Sequence, residues 1–244
     1  MFELEKISEN ENWLKLYRFG SIAAFLIAIL MVGEIFVYAL IPNRDNPTEV
    51  FELFRVNAFA GLLFFDLLGM VSYLLFIPFI ISLYLILKKS NWALMTVGTI
   101  LFFIGITIFF ANNNGFSTLS LSKQYEVATS DEEKALLLAA CKTMITLFDV
   151  NAFMVSYIIV SFAWSMLSYV MIKTSIFSRN TGYIGLLAGL SGMIAEIIEN
   201  TLNRYLMVAI GFYFLAIVLL IIWVILSGRK LYQISLNHRK EYET

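Results

Sequence analysis

Residues 205–226 read YLMVAIGFYFLAIVLLIIWVIL, a run that contains no charged side chain. A bilayer core about 30 Å thick requires about 20 apolar residues of helix, because an α-helix rises about 1.5 Å per residue. The run meets that length and is apolar on every helical face, whereas the strands of a membrane β-barrel alternate apolar and polar residues. This stretch therefore predicts a transmembrane α-helix.

Five further stretches meet the same test, and polar or charged residues follow each of them. The six predicted spans are residues 19–41, 60–87, 92–111, 152–172, 182–198 and 205–226. Only 14% of the 244 residues are charged, against about 25% in soluble domains, and the mean hydropathy is +0.81. The predicted fold class is all-α: a single polytopic membrane domain built as a bundle of six transmembrane helices.

The distribution of basic residues predicts the orientation of the bundle. Six spans place the N-terminus, residues 88–91, residues 173–181 and the C-terminal tail on one side. That side holds 11 of the 17 Lys and Arg residues, and basic residues are enriched in cytoplasmic loops. The region before the first span is acidic and no signal-peptide cleavage site precedes Pro42, so we expect this span to be retained. The prediction is a multi-pass cell-membrane protein with both termini in the cytoplasm.

Two loops on the opposite, outer side are predicted to contain amphipathic helices. In the first loop, Asn46-Pro47 begins a short helix whose apolar residues are expected to lie on the membrane. Those residues are Val50, Phe51, Leu53 and Phe54. In the third loop, Ser130 and Glu133 form a capping-box pattern. This pattern predicts a helix from Asp131 to about Phe148.

Two sequence patterns resemble one family of prokaryotic membrane proteins. The first is DLL at 66–68, LLFIP at 74–78, SLY at 82–84 and KK at 88–89; the second is LSLSKQY at 119–125, AT at 128–129 and KALLLAA at 134–140. Both are similar to the family called domain of unknown function 4386, over residues 47–228. Cys141 stands where that pattern usually has glycine. The resemblance implies a six-helix fold and brings no activity with it.

Acidic and amide side chains are concentrated in the outer part of five of the six spans. Glu34 and Asp66 are expected about 12 Å and 9 Å below the outer ends of their spans. A charged residue at the centre of a bilayer costs about 2.5–3.5 kcal/mol on insertion scales, so each needs a partner or a function. The candidate site residues are Glu34, Asp66, Asn112, Asp149, Asn151 and Glu196.

Two interpretations of these residues remain open. In the first, they line an outward-facing cavity for a cation, a proton or a small ligand, with Glu34 and Asp66 as the leading pair. Carboxylate and carbonyl oxygens suit hard cations, although the pattern does not identify a metal. In the second, Asp149 lies at the headgroup level, the asparagines cap helices, and Glu34 and Asp66 are neutral groups hydrogen-bonded to Tyr38 or to each other.

Two further stripes of small or hydroxyl residues follow helical spacing. Span four carries Tyr157, Ser161, Ser165 and Ser168 on one face, and span five carries Gly182, Gly185, Gly189 and Gly192. Hydroxyl and small residues allow close packing of membrane helices. The span-four face could line a path through the bundle, but we favour a role in joining helices. For the glycine face we expect a packing role, and self-association through it remains open.

The residues that are missing exclude several functions. The chain has one Cys and one His, and the His lies in the hydrophilic tail. These counts exclude a disulfide, a Cys-His zinc site and a bis-histidine haem. A net charge of −1 gives no reason to expect nucleic acid. No cofactor is predicted. The lipid bilayer is the expected partner, and a protein partner remains open.

Three functions remain after these exclusions. They are a binding protein or transporter with a carboxylate cavity, a structural or regulatory protein that contacts lipid or a partner through its outer helices, and a carboxylate-dependent enzyme. An enzyme is the least favoured, because the sequence has no catalytic motif. We find neither an internal repeat nor a helix broken at the midplane, and since both features are common in transporters, their absence makes transport less favoured.

Overall fold

The computed structural model describes residues 11–40, 46–202 and 205–242, apart from the side chains of residues 11, 12, 38 and 237–242. The described residues form ten α-helices and one π-helix. The α-helices are α1 (Glu11–Leu40), α2 (Pro47–Val56), α3 (Ala58–Phe64), α4 (Leu67–Leu87), α5 (Trp92–Asn112), α6 (Gly115–Val127), α7 (Asp131–Leu147), α8 (Ser156–Lys173), α9 (Arg179–Thr201) and α10 (Leu206–Tyr242). The π-helix (Phe148–Val155) joins α7 to α8.

Six helical segments are long and apolar enough to cross a membrane, as the sequence predicts. They contain α1, α4, α5, α8, α9 and α10. Large apolar side chains on these helices are exposed, among them Ile29 (67%) and Phe214 (65%). Contiguous apolar surface of this kind marks contact with lipid or a partner. The protein is an integral, multi-pass membrane protein.

The six spanning helices pack as a closed ring in chain order. Each contacts the next, and α10 returns to contact α1. Neighbours are antiparallel, so the beginning of α1 and the end of α10 lie at the same end of the bundle. The opposite end, which carries α2, α3, α6 and α7, is called the distal end below. The ring leaves a space between α1, α4, α8, α9 and α10, and this space is the cavity described below.

Aromatic side chains fill the middle of the ring. Phe76 lies 5.7 Å from Trp164 between ring centroids, 5.6 Å from Phe102 and 6.0 Å from Phe79. Phe79 in turn packs edge-on against Trp223 at 5.7 Å. These are ordinary aromatic contact distances. The cluster joins α4, α5, α8 and α10 and leaves the space above it, toward the distal end, for the site described below.

The prediction of one continuous second span is wrong. The span divides into α3 and α4 at Phe65 and Asp66. Asp66 has φ 60° and ψ 44°, the left-handed conformation, and its carboxylate accepts a hydrogen bond from Gly69 N at 3.1 Å. The break therefore comes from an aspartate that caps α4 with its own side chain. Hydropathy gave no sign of it, since apolar residues flank Asp66 on both sides.

The outer loops fold together as a compact cap on the distal end. The predicted helix beginning at Asp131 is confirmed as α7, and Glu133 N donates to Ser130 Oγ at 3.1 Å. Helix α2 is also present where predicted, with Asn46 as its N-cap. The cap core contains Val50, Phe51, Phe54, Phe65, Cys141 and Phe148.

The expectation that the apolar residues of α2 lie on the membrane is wrong for three of the four. Val50, Phe51 and Phe54 are at most 3% exposed, and Leu53 packs against the same cluster. Phe51 packs against Tyr125 of α6, with ring centroids 5.1 Å apart. The apolar face of α2 is covered because α6 offers a complementary surface, which the sequence of α2 alone cannot reveal.

The glycine face of α9 packs on the serine face of α8, which confirms the packing role predicted for the glycines. A Cβ on Gly189 would lie 2.5 Å from the carbonyl oxygen of Ser161 and would also strike Ser165 Oγ. A Cβ on Gly182 would lie 2.9 Å from the carbonyl oxygen of Ser168. Only glycine permits this approach of the two backbones. The glycine face is therefore occupied by α8 of the same chain.

Candidate functional site

A cavity of about 150 Å³ lies within the distal half of the bundle. Its walls come from the distal ends of α1, α4, α8, α9 and α10 and from the π-helix. Phe76 and Trp164, which belong to the aromatic core, form its floor. A cavity of about this volume accommodates a molecule the size of benzene.

Three acidic side chains line this cavity. Glu34 stands near the distal end of α1, Asp66 at the break before α4, and Glu196 near the distal end of α9. Glu34 is partly buried, while Asp66 and Glu196 are 7% and 3% exposed. The three carboxyl groups thus come from α1, from the break before α4 and from α9, and they line the same cavity.

Asp66 reaches the cavity because the helix breaks there. In a continuous helix, Gly69 N would donate to the carbonyl oxygen of Phe65. Here Gly69 N donates to Asp66 Oδ1, and the Phe65 carbonyl accepts from Asn113 Nδ2 at 2.7 Å. Both backbone groups released by the break are therefore satisfied. Gly69 leaves room for the carboxylate, since a Cβ at this position would strike it.

Glu34 and Glu196 are each held by a hydrogen bond from a nearby side chain. Ser72 Oγ donates to Glu34 Oε1 at 3.0 Å and joins α1 to α4. Asn200 Nδ2, one turn after Glu196 on α9, lies 3.3 Å from Glu196 Oε2. These contacts orient two of the three carboxylates. They leave acceptor capacity on each, because an ionised carboxylate accepts about four hydrogen bonds.

Aromatic side chains form most of the remaining wall. Six of the fourteen lining residues are aromatic: Tyr73, Phe76, Phe153, Tyr157, Trp164 and Tyr213. The Tyr213 hydroxyl donates to Glu199 Oε2 at 2.5 Å and so connects α10 to α9. Trp164 is 3% exposed, and its Nε1 has no hydrogen-bond acceptor among the residues that the structure describes.

The charge of the cavity lining is unbalanced. The fourteen described residues that line it include three carboxyl groups and no Lys, Arg or His. Glu34 and Asp66 are close enough to interact electrostatically. Burial of several like charges without compensation is very unfavourable. Protons or a bound cation are the ways in which such a site becomes neutral.

The carboxyl groups do not converge on a single point. Within the described part of the chain, no group of three or more His, Cys, Asp or Glu side chains is placed to hold a metal ion. Hard metal ions require several oxygen ligands in one coordination sphere. The acids instead stand around the wall of a largely aromatic space.

Three of the predicted site residues lie elsewhere. Asn151 Nδ2 donates to Asn112 Oδ1 at 3.3 Å, and Asn112 Nδ2 donates to the Ile108 carbonyl at 2.9 Å. This pair joins α5 to the π-helix outside the cavity lining. Asp149 is also on the π-helix and is not among the lining residues. The proposed contact of Glu34 with Tyr38 falls outside the described side chains.

Sequence reasoning missed most of the polar and aromatic lining, although helical spacing could have found part of it. Tyr73 and Phe76 follow Asp66 at seven and ten residues, which is one helical face. Met31 precedes Glu34 by three residues on the same face of α1. Tyr213 and Trp164 had no such signal, because their own spans contain no acidic residue.

The sequence matches the model of one known protein family. The family model described as "Domain of unknown function (DUF4386)" matches residues 19–228. The chain belongs to this family. The match begins before residue 47, where the sequence resemblance was expected to begin, and so includes α1 and Glu34. No curated protein and no solved structure matches the chain. Membership of DUF4386 therefore carries the fold and no activity.

Proposed function

We propose that this protein binds a cation in the distal cavity, at the carboxyl groups of Glu34, Asp66 and Glu196. The observation that carries the proposal is the lining itself, in which three acidic side chains and no basic one face the same cavity. Protonation would neutralise the cavity in the absence of a ligand. A cation would then bind in exchange for protons, so that binding and proton release are coupled.

We further propose that the cavity opens to the outside of the cell, with the protein in the cell membrane and both termini in the cytoplasm. The excess of Lys and Arg on the side of the termini supports this orientation. The break at Asp66 lies at the distal end of its span, whereas the broken helices of transporters lie near the midplane, so the break supports cation binding rather than transport.

Thermal stability of the purified protein tests the proposal. The unfolding temperature is measured with sodium, potassium, calcium, magnesium and tetramethylammonium ions, for the wild type and for the double variant Glu34→Gln with Asp66→Asn. A cation at about 100 times its Kd should raise the melting temperature of the wild type by about 5–10 °C. The double variant should lose that increase, because it lacks two of the carboxylates.

Glu132→Gln provides the matched control, since Glu132 is exposed on α7 and lies outside the cavity lining. It should retain the full increase. If no cation stabilises the wild type, or if the double variant responds as the wild type does, the proposal fails.

A second candidate function is supported by the surface of the cap. Val127 and Leu136 are 77% and 72% exposed, and apolar residues of this kind suit a structural or regulatory protein that contacts lipid or a partner. The support is weaker than for the cavity, because the apolar face of α2 is buried within the chain. Val127→Ser with Leu136→Ser should detach a partner that copurifies with the wild type, while leaving cation binding unchanged.

A further inference from the structure

The wall of the distal cavity differs from that of a metal site. Its carboxyl groups lie on three helices, and the described residues contain no group of three metal-ligand side chains. Aromatic residues provide six of the fourteen lining positions. A bare metal ion in this space would leave most of its coordination sphere to water, whereas an organic cation would also contact the aromatic and aliphatic parts of the wall.

Aromatic rings attract a specific class of cation. The face of a Tyr, Trp or Phe ring carries negative potential, and a quaternary or alkylated ammonium group binds against several such faces when water is excluded. The methyl or methylene groups of the ligand supply apolar contact area at the same time. Tyr73, Tyr157 and Tyr213 stand in the same wall as the three acids, so ring and carboxylate would act on one positive charge.

Trp164 adds a large indole ring to this wall. It lines the cavity beside Phe76 and Tyr157, whose ring centroids lie 5.7 Å and 6.3 Å from its own. The volume of about 150 Å³ sets the size of the occupant near that of benzene.

From these observations we infer that the ligand is a small organic ammonium ion, bound against the aromatic wall of the acidic cavity. The inference rests on the proposed function and narrows it, since it selects one class of cation. It accounts for the aromatic lining, which a metal ion or a proton alone would leave unused.

Two probes of nearly equal shape test the inference. Choline carries a quaternary nitrogen and a hydroxyl group; 3,3-dimethylbutan-1-ol has the same shape and hydroxyl group without the charge. Isothermal titration of the full-length wild type measures both, together with sodium, potassium, calcium and magnesium. Choline should bind at least about tenfold more tightly than the neutral alcohol and than any of the four metal ions. No variant is needed for this comparison.

A matched pair of variants then tests the aromatic wall. Tyr213→Phe and Tyr213→Leu both lose the hydroxyl contact with Glu199, but only Leu loses the ring. Tyr213→Leu should bind choline about fivefold to thirtyfold more weakly than Tyr213→Phe. The melting temperatures of the two variants without ligand show whether both are folded.

The outcomes separate the inference from the proposed function. If a metal ion binds at the carboxylates and choline does not, the inference is overturned and cation binding stands. If choline and the neutral alcohol bind equally, or if Tyr213→Leu and Tyr213→Phe bind choline equally, the inference is also overturned. If no cation binds the wild type, both the inference and the proposed function fail.

Discussion

Asp66 combines three roles in one residue. It is the only residue other than glycine in the described chain that has a positive φ. Its carboxylate caps α4 through Gly69 N, and the same side chain lines the cavity. Asp tolerates the left-handed conformation better than most residues because its short polar side chain bonds to the nearby backbone. The residue at the helix break is thus also one of the three acidic residues that line the cavity.

Replacement of Asp66 separates the capping role from the charge. Asp66→Asn keeps an acceptor oxygen and a residue suited to the left-handed conformation, so the free energy of unfolding should change by less than about 0.5 kcal/mol. Asp66→Ala loses the cap and is strained at φ 60°, so it should be destabilised by about 2 kcal/mol. Reversible unfolding in SDS measures both. An Asp66→Ala protein as stable as Asp66→Asn would contradict the capping role.

The acidic site residues show what could be predicted at the scale of single residues. Glu34, Asp66 and Glu196 stand out in sequence because acidic groups are rare in hydrocarbon, and the structure brings all three to one cavity. Asn112, Asp149 and Asn151 are candidate site residues only because they lie at a similar predicted depth in the membrane. Depth does not specify which side of a helix a residue occupies, and Asn112 and Asn151 instead bond to each other.

At the scale of elements, the close contact between α8 and α9 has a clear origin in the sequence. Glycines at 182, 185, 189 and 192 form one face of α9, and each would bring a Cβ into contact with α8. Ser165 on the facing helix donates to the carbonyl oxygen of Ser161 within its own helix. Close backbone approach, rather than a bond between the helices, therefore explains the pairing. It also holds Tyr157 of α8 and Glu196 of α9 at the same cavity.

One added methyl group should disturb this pairing. In Gly189→Ala the new Cβ would lie 2.5 Å from the Ser161 carbonyl oxygen, so the backbones must separate. We expect a loss of about 1–3 kcal/mol in the free energy of unfolding, measured by SDS unfolding.

Gly211→Ala is the matched control, because no atom lies within 4 Å of a Cβ built on Gly211 of α10. This change should leave stability unchanged or raise it by up to about 1 kcal/mol. Equal effects of the two substitutions would show that helix propensity, not packing, dominates at Gly189.

The spanning helices were predictable, and the interruptions were not. Apolar length identifies each span, and the Ser130 cap identifies α7, because both signals are local in sequence. The break at Asp66 and the π-helix from Phe148 to Val155 depend on contacts between distant segments. Asn113, which bonds to the Phe65 carbonyl, is an example: its partner is on another helix. The burial of α2 by α6 is unpredictable for the same reason.

At the scale of the whole molecule, the bundle is polarised. The cavity, the cap and the helix interruptions lie at the distal end, and the basic residues are concentrated at the end of the termini. The aromatic core around Phe76 separates the cavity from that end. A ligand that binds to this structure would therefore reach the cavity from the distal side.

Single cysteines test the proposed orientation. Thr129→Cys on the cap and Ser90→Cys between α4 and α5 place thiols at exposed positions on opposite ends. A membrane-impermeant maleimide applied to intact cells should label Thr129→Cys and not Ser90→Cys. The wild type is the control, since its one cysteine, Cys141, is buried and should not react. Labelling of Ser90→Cys alone would reverse the orientation.

The most direct test of the central claim is a crystal structure of the protein grown with (2-bromoethyl)trimethylammonium, an analogue of choline that carries an anomalous scatterer. The account predicts a bromine peak inside the distal cavity, with the ammonium group among Glu34, Asp66 and Glu196 and against the aromatic wall. A cavity that holds only ordered water at a saturating concentration of this ion would contradict the account.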